Sequence, residues 1–427
     1  MTRSRMRGRV AGAAVVALLA VSCDNGDGIV KPEDQWDGRV QIINDEGVLQ
    51  SRVTRPGTSI PIDPPSPGLF PPQAVSGWLK GSEKGLALSL EAEVSPPTVD
   101  GQVVQATSVV LQGTSKALVS YNMRGAPRLG GVDWLTNLTT KPRIGASATF
   151  SDSDVSAVSF DGSFAYAAEA TGASEFPYPA VLERLRVVGN GFSLEDNLRV
   201  PLTSYVATST TVTDNEVYTT SGNTGHVSAF DKSTFSLLGQ YSLEDARWVA
   251  WDEEGGRVVV AQGTPGRLSV FAQGEFPGGS LNLLNTFTFP GADVAESKST
   301  VEILGGKAFV AAGPEGVQIV CLDNGQVVGS VPRPDPGDLG LDPSVVVTNA
   351  VSVDGDIMFI SNGEAGVYVA RGAEDFATSG CAKQDVTVLG HLRFDDLQSA
   401  NHVDFKTKWL VVAAGLGGVK LVEVGGV

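Results

Sequence analysis

Residues 299–332 narrow the folds open to this chain more than any other stretch. They hold four short apolar runs, at 301–304, 308–312, 317–322 and 327–331. Gly305-Gly306, then Gly313-Pro314-Glu315-Gly316, then Asp323-Asn324-Gly325 separate the runs. Short runs rich in Val and Ile, split by Gly, Pro, Asn and Asp, predict a four-stranded antiparallel meander. A single meander cannot bury both faces of its sheet, so copies of it must stack.

Copies recur along the chain. Aligned on one residue of the first run, they fall at Val109, Val158, Thr210, Val249, Val301, Val351 and Val403, spaced by 49, 52, 39, 52, 50 and 52 residues. In four units a glycine opens the third run 15 residues after this anchor: Gly225, Gly316, Gly366 and Gly418. Gly266 comes at 17 and Gly131 at 22. Seven meanders with this period predict an all-β chain, a seven-bladed β-propeller over residues 85–427. Runs 308–312 and 410–414 lose polar alternation, as strands must when neighbouring blades cover both faces. The seventh unit lacks a fourth run. Residues 86–94, LALSLEAEV, alternate cleanly and have no partner nearby. Placed in the seventh blade, this N-terminal strand closes the ring and removes two exposed edges.

The N-terminus reads as an export signal. Arg3, Arg5, Arg7 and Arg9 precede an apolar run at 10–21 that is too short to span a bilayer. Removal of residues 1–22 leaves 27 basic against 48 acidic residues. So acidic a surface repels phosphate backbones, which excludes nucleic acid as the expected partner. Residues 23–84 read as a flexible tether, dense in proline at Pro56, Pro61, Pro64, Pro65, Pro67, Pro71 and Pro72, within which 40–53 could form one or two weak strands or a short docking segment. An exported chain meets an oxidising compartment. Cys321 and Cys381 lie at corresponding places in adjacent units, as a disulfide or as two unpaired thiols.

Two resemblances add to this reading. Leu19-Ala20-Val21-Ser22-Cys23 resembles the lipobox of bacterial lipoproteins. It implies lipidation of Cys23, a palmitate-bearing anchor, and a place in the bacterial cell envelope. That place is the outer membrane or the periplasmic face of the inner membrane. The patterns Ala350-Val351-Ser352-Val353-Asp354-Gly355, Gly366-Val367-Tyr368-Val369, Gly316-Val317-Gln318-Ile319-Val320 and Gly418-Val419-Lys420-Leu421-Val422 resemble the LVIVD repeat of bacterial and archaeal surface propellers. That resemblance covers residues 107–427 and implies an exported, non-catalytic propeller. It carries no catalytic residues over.

Candidate site residues are few. His402 and Asp404 fall near the start of a blade's first strand, beside the expected channel, and Glu302 is the counterpart of Asp404. Such a set could hold a hard cation such as calcium and support a metal-dependent propeller hydrolase or lyase. The plainer reading is a solvated channel wall with no metal. Acid-rich loops at Asp152 and Asp154, and at Asp335, Asp338 and Asp342, match no EF-hand spacing and read as solvated turns. Trp248 is placed to contact a ligand at the channel mouth. The insertion 171–179, with Phe176 and Tyr178, is the most irregular loop, and loops on rigid scaffolds often carry function. No Gly-x-Ser-x-Gly elbow occurs. The expectation is a monomeric, non-enzymatic binding or scaffold protein whose loop face docks an envelope protein or a glycan, with no cofactor.

Overall fold

A computed structural model describes residues 31–75, 85–292, 297–394 and 399–426. The export segment and Cys23 lie outside the described residues. The strands form seven four-stranded antiparallel blades around a ring. The innermost strands are Gln105–Gln112, Ser153–Phe160, Ala207–Val212, Ala246–Asp252, Val301–Leu304, Ala350–Asp354 and His402–Lys406. Each carries one of the seven repeat anchors, and each anchor pairs with the middle of its blade's second strand, as Val109 with Val119 and Val403 with Val412.

The blades are made for sandwiching. Second and third strands such as Lys307–Ala311 and Val317–Cys321 are buried at every position. Their apolar side chains gather in seven clusters, one at each blade–blade interface. The glycine opening the third strand has a steric reason. Gly418 has φ +71°, and a Cβ there would sit 2.0 Å from the Val94 carbonyl oxygen. A side chain would push the fourth strand off the blade.

Closure follows the expected route. Ala87–Val94 pairs antiparallel with Val419–Gly425 and supplies the fourth strand of blade 7.

The tether is a correction. Residues 31–75 are not a free linker but a belt laid along the outer rim. Val40–Ile43 adds a fifth strand to blade 1. Val53–Thr54 and Thr58–Ile60 pair with the closing strand of blade 7. Ile62–Asp63 pairs with the last strand of blade 6. Leu69, Phe70 and Ala74 then enter the interface of blades 5 and 6. Proline kept these pieces short without keeping them off the sheets, because an edge strand needs only one side of its backbone to pair.

The belt also brings charge. Asp133 and Glu183, on the third strands of blades 1 and 2, are fully buried. Arg52 of the belt meets Asp133 at 2.5 Å, and Arg39 meets Glu183 at 2.6 Å. Two blades thus depend on the belt for their counter-charges.

Candidate functional site at the mouth of the channel

The seven anchors place the residue two positions upstream of each at the mouth of the ring. These are Thr107, Ser156, Thr208, Arg247, Ser299, Asn349 and Asn401, and all seven are polar. In blades 1 to 4 this residue is the extra one of a β-bulge: the pairing skips Thr107, Ser156, Thr208 and Arg247. A bulge kinks the strand and re-aims a side chain. Ser156, Thr208 and Arg247 accordingly line a cavity of about 310 Å³, with Asn122, Asn223, Trp248, Ser297 and Lys298 completing its wall.

The floor is a plug across the channel. Trp248 of blade 4 stacks on His402 of blade 7, with ring centroids 5.1 Å apart and planes at 28°. Lys298, just before the first strand of blade 5, donates from Nζ to the Thr107 carbonyl oxygen of blade 1. Arg247 is fixed by Asp245 at 2.7 Å and by the carbonyls of Ala292 and Ser297 at 2.9 and 3.1 Å.

Burial sets the charge states. It pulls the Lys298 ammonium down to about 7, and the His402 imidazole down to about 3 with help from the Lys298 charge, so His402 is neutral. Among the described residues, His402 Nδ1 has no hydrogen-bond partner, and neither has Thr300 Oγ1 nor Asn349 Oδ1 at neighbouring levels of blades 5 and 6. His402 is 7% exposed and Thr300 is 2% exposed, and the orphaned atoms themselves are closed to solvent.

The channel acids are placed differently from expectation. Glu302 does not gather with Asp404 and His402 around an ion. Its Oε2 accepts from Val353 N of the next blade at 3.0 Å. Asp404 Oδ2 accepts from Leu111 N of blade 1 at 2.6 Å. Ser352 occupies the same position in blade 6 and accepts from Phe405 N at 2.9 Å. One position past the anchor is therefore an interblade staple in blades 5, 6 and 7, with carboxylate and hydroxyl interchangeable. Burial and the neighbouring Asp404 raise Glu302 to about 8, and burial raises Asp404 to about 6. Among the described residues, the one trio of His, Cys, Asp or Glu close enough to share an ion is Cys321, Asp323 and Cys381. Those two sulfurs are bonded to each other, with Cα atoms 5.3 Å apart.

The insertion 171–179 sits on the outer part of blade 2, and its aromatics do not reach the mouth cavity. Phe176 lies under the Arg199 guanidinium, 4.6 Å from its centroid, and Arg199 in turn binds Asp152 at 2.8 Å. Tyr178 is 49% exposed. Asp335 caps the short helix Pro336–Leu339 rather than holding a cation.

Trp248 and His402 were thus legible as channel residues. The bulged polar ring and Lys298 were not. Their signal was present in the polar residue two places before every anchor, once the register is known.

No protein-family model and no characterised protein sequence matches the chain. Among solved structures, the chain is similar to the WD40 β-propeller domain of Doa1, at 11% identity and TM-score 0.49, over 79% of this chain and 97% of that one. It is also similar to the computationally designed protein Ika8, at 14% identity and TM-score 0.44, over 80% of this chain and 93% of that one.

Proposed function

We propose that this propeller is a binding protein of the bacterial envelope that takes a glycan at the mouth of its channel. The observation that carries the reading is the convergence of bulged polar residues from blades 2 to 4 on one plugged cavity walled by Trp248. Pockets of this size, with an aromatic side chain and a few placed polar groups, are typical of small-ligand sites. The role is binding rather than turnover, because Glu302 and Asp404 are committed to backbone amides and Trp248 to His402. The lipobox-like residues 19–23 support export and lipidation at Cys23. The belt at residues 31–75 would then fix the propeller close to its anchor instead of holding it at the end of a long leash. The repeats 316–320, 366–369 and 418–422 support membership of the LVIVD-type surface propellers.

The test is calorimetric titration of the mature chain with soluble glycan fragments from the source envelope. A Ser156→Trp variant fills the cavity from a position whose side chain makes no hydrogen bond among the described residues. Wild-type binding with loss in the variant, at unchanged melting temperature, is the expected result. Equal binding by both proteins would sink the proposal. Mass spectrometry of the N-terminal peptide checks the anchor, and an unmodified Cys23 would refute lipidation.

A further inference from the structure

We infer that the channel mouth recognises an acidic sugar, a pyranose carrying a carboxylate, with Lys298 as the residue that reads the negative charge. The inference rests on the mouth being the binding site and names the class of ligand it takes.

The argument starts from charge. The protein carries a formal net charge of -17. Most of its surface therefore repels anions, and a bound anion needs a local cation. Two cations line the cavity. Arg247 is already matched by Asp245, which meets it in a paired geometry through Nε and Nη2 at 3.1 and 2.7 Å. Lys298 has no such match. Among the described residues its Nζ donates to the Thr107 carbonyl, and no carboxylate lies within ion-pair distance. An ammonium has three donors, so two remain for a ligand.

The rest of the wall fits a sugar ring better than a flat aromatic acid or a phosphate. Asn122, Ser156, Asn223 and Ser297 bring side-chain amides and hydroxyls, which pair with hydroxyl groups through single, adaptable hydrogen bonds. A phosphate would call for several convergent N–H donors or a paired arginine fork, and the one arginine here is spent. Trp248 brings an aromatic surface for the apolar C–H face of a pyranose. His402, stacked behind it, keeps its plane fixed.

The charge of Lys298 is also adjustable. Its ammonium lies near 7 because burial opposes the charge. Among the described residues, the groups facing it are His402, held neutral, the Asp245–Arg247 pair and the uncharged Asn122 and Ser297. A carboxylate entering the cavity would supply the missing counter-charge and hold the proton on.

The experiment compares glucuronate and galacturonate with glucose and galactose, by saturation-transfer NMR and calorimetry, on wild type, Lys298→Gln and Lys298→Arg. The expected result is uronate binding at pH 6 at least about tenfold tighter than that of the neutral sugars, from one charge-assisted contact. Binding should weaken as pH rises through 7 to 9. Lys298→Gln should lose the preference and Lys298→Arg should keep it, both with wild-type melting curves. Neutral sugars binding as well as uronates, or a preference that survives in Lys298→Gln, would overturn the inference while leaving the mouth as a site. Failure of every sugar to bind wild type would overturn both.

Discussion

Arg52→Ala offers the sharpest test of the belt. Asp133 is fully buried. It receives Arg52 Nη2 at 2.5 Å, Arg52 Nη1 at 3.2 Å and the Tyr121 hydroxyl at 2.8 Å. Arg52 also donates from Nε to the Ser95 carbonyl at 2.9 Å, tying belt to closing strand. Truncating the arginine leaves a buried carboxylate with one neutral donor, which costs about 3–5 kcal/mol. With a urea m-value of about 3 kcal/mol per M, the unfolding midpoint falls by about 1 M or more. Tryptophan fluorescence reports it, since Trp134 is buried one residue away in the same strand. Arg52→Ala with Asp133→Asn removes the stranded charge while keeping an acceptor for Tyr121, and should recover most of the loss. Arg393, whose pair with Asp63 joins belt to blade 6 at an exposed site, is the control and should shift the midpoint little. A loss under about 1 kcal/mol for Arg52→Ala, or no recovery in the double variant, would refute the claim that the belt is part of the fold.

Other outcomes follow from the same structure. Replacing both Cys321 and Cys381 by serine opens a cross-link between residues 60 apart and should cost about 4 kcal/mol from chain entropy; unchanged unfolding under reductant would contradict this. Glu302 holds its proton more tightly folded than unfolded, with its folded value near 8, so its contribution to stability falls as pH rises from about 4.5 to 8. Glu302→Gln keeps an acceptor for Val353 N and removes that slope. It should melt like wild type at pH 5 and higher than wild type at pH 8.5, and the reverse order would show the acid to be ionised in the fold. Gly418→Ala should weaken closure of the ring, read as faster amide exchange in residues 87–94, because its methyl would meet the Val94 carbonyl. Exchange as slow as in wild type would place the third-strand glycines outside the closure.

What the sequence disclosed and what it hid have physical reasons. The blades were legible because each repeats its own local pattern of apolar runs and turn glycines. The closing strand was legible because residues 86–94 alternate without a local partner. The disulfide partners were legible from their matching places in successive units. The belt was legible only in part: residues 40–53 carry enough alternation for weak strands or a docking segment, while proline density in 55–73 masks the rest. The counter-charges Arg39 and Arg52 find partners 144 and 81 residues away, which no local window shows. At the site, Trp248 and His402 could be placed by register, while their stacking across the ring could not. The sequence leaves Glu302 and Asp404 open as ion ligands or as plain channel wall, because an acid on an inner strand looks alike in one dimension whether it faces the lumen or staples the next blade. Ser352 in the same position tells the two apart.

The most direct test of the channel mouth as the binding face is hydrogen–deuterium exchange of the mature chain with and without saturating envelope glycan. The account predicts protection at residues 120–123, 154–158, 206–209, 221–224 and 245–249, with the outer strands unchanged. Protection confined to outer strands such as Leu237–Leu243, or to the insertion at 171–179, would contradict it.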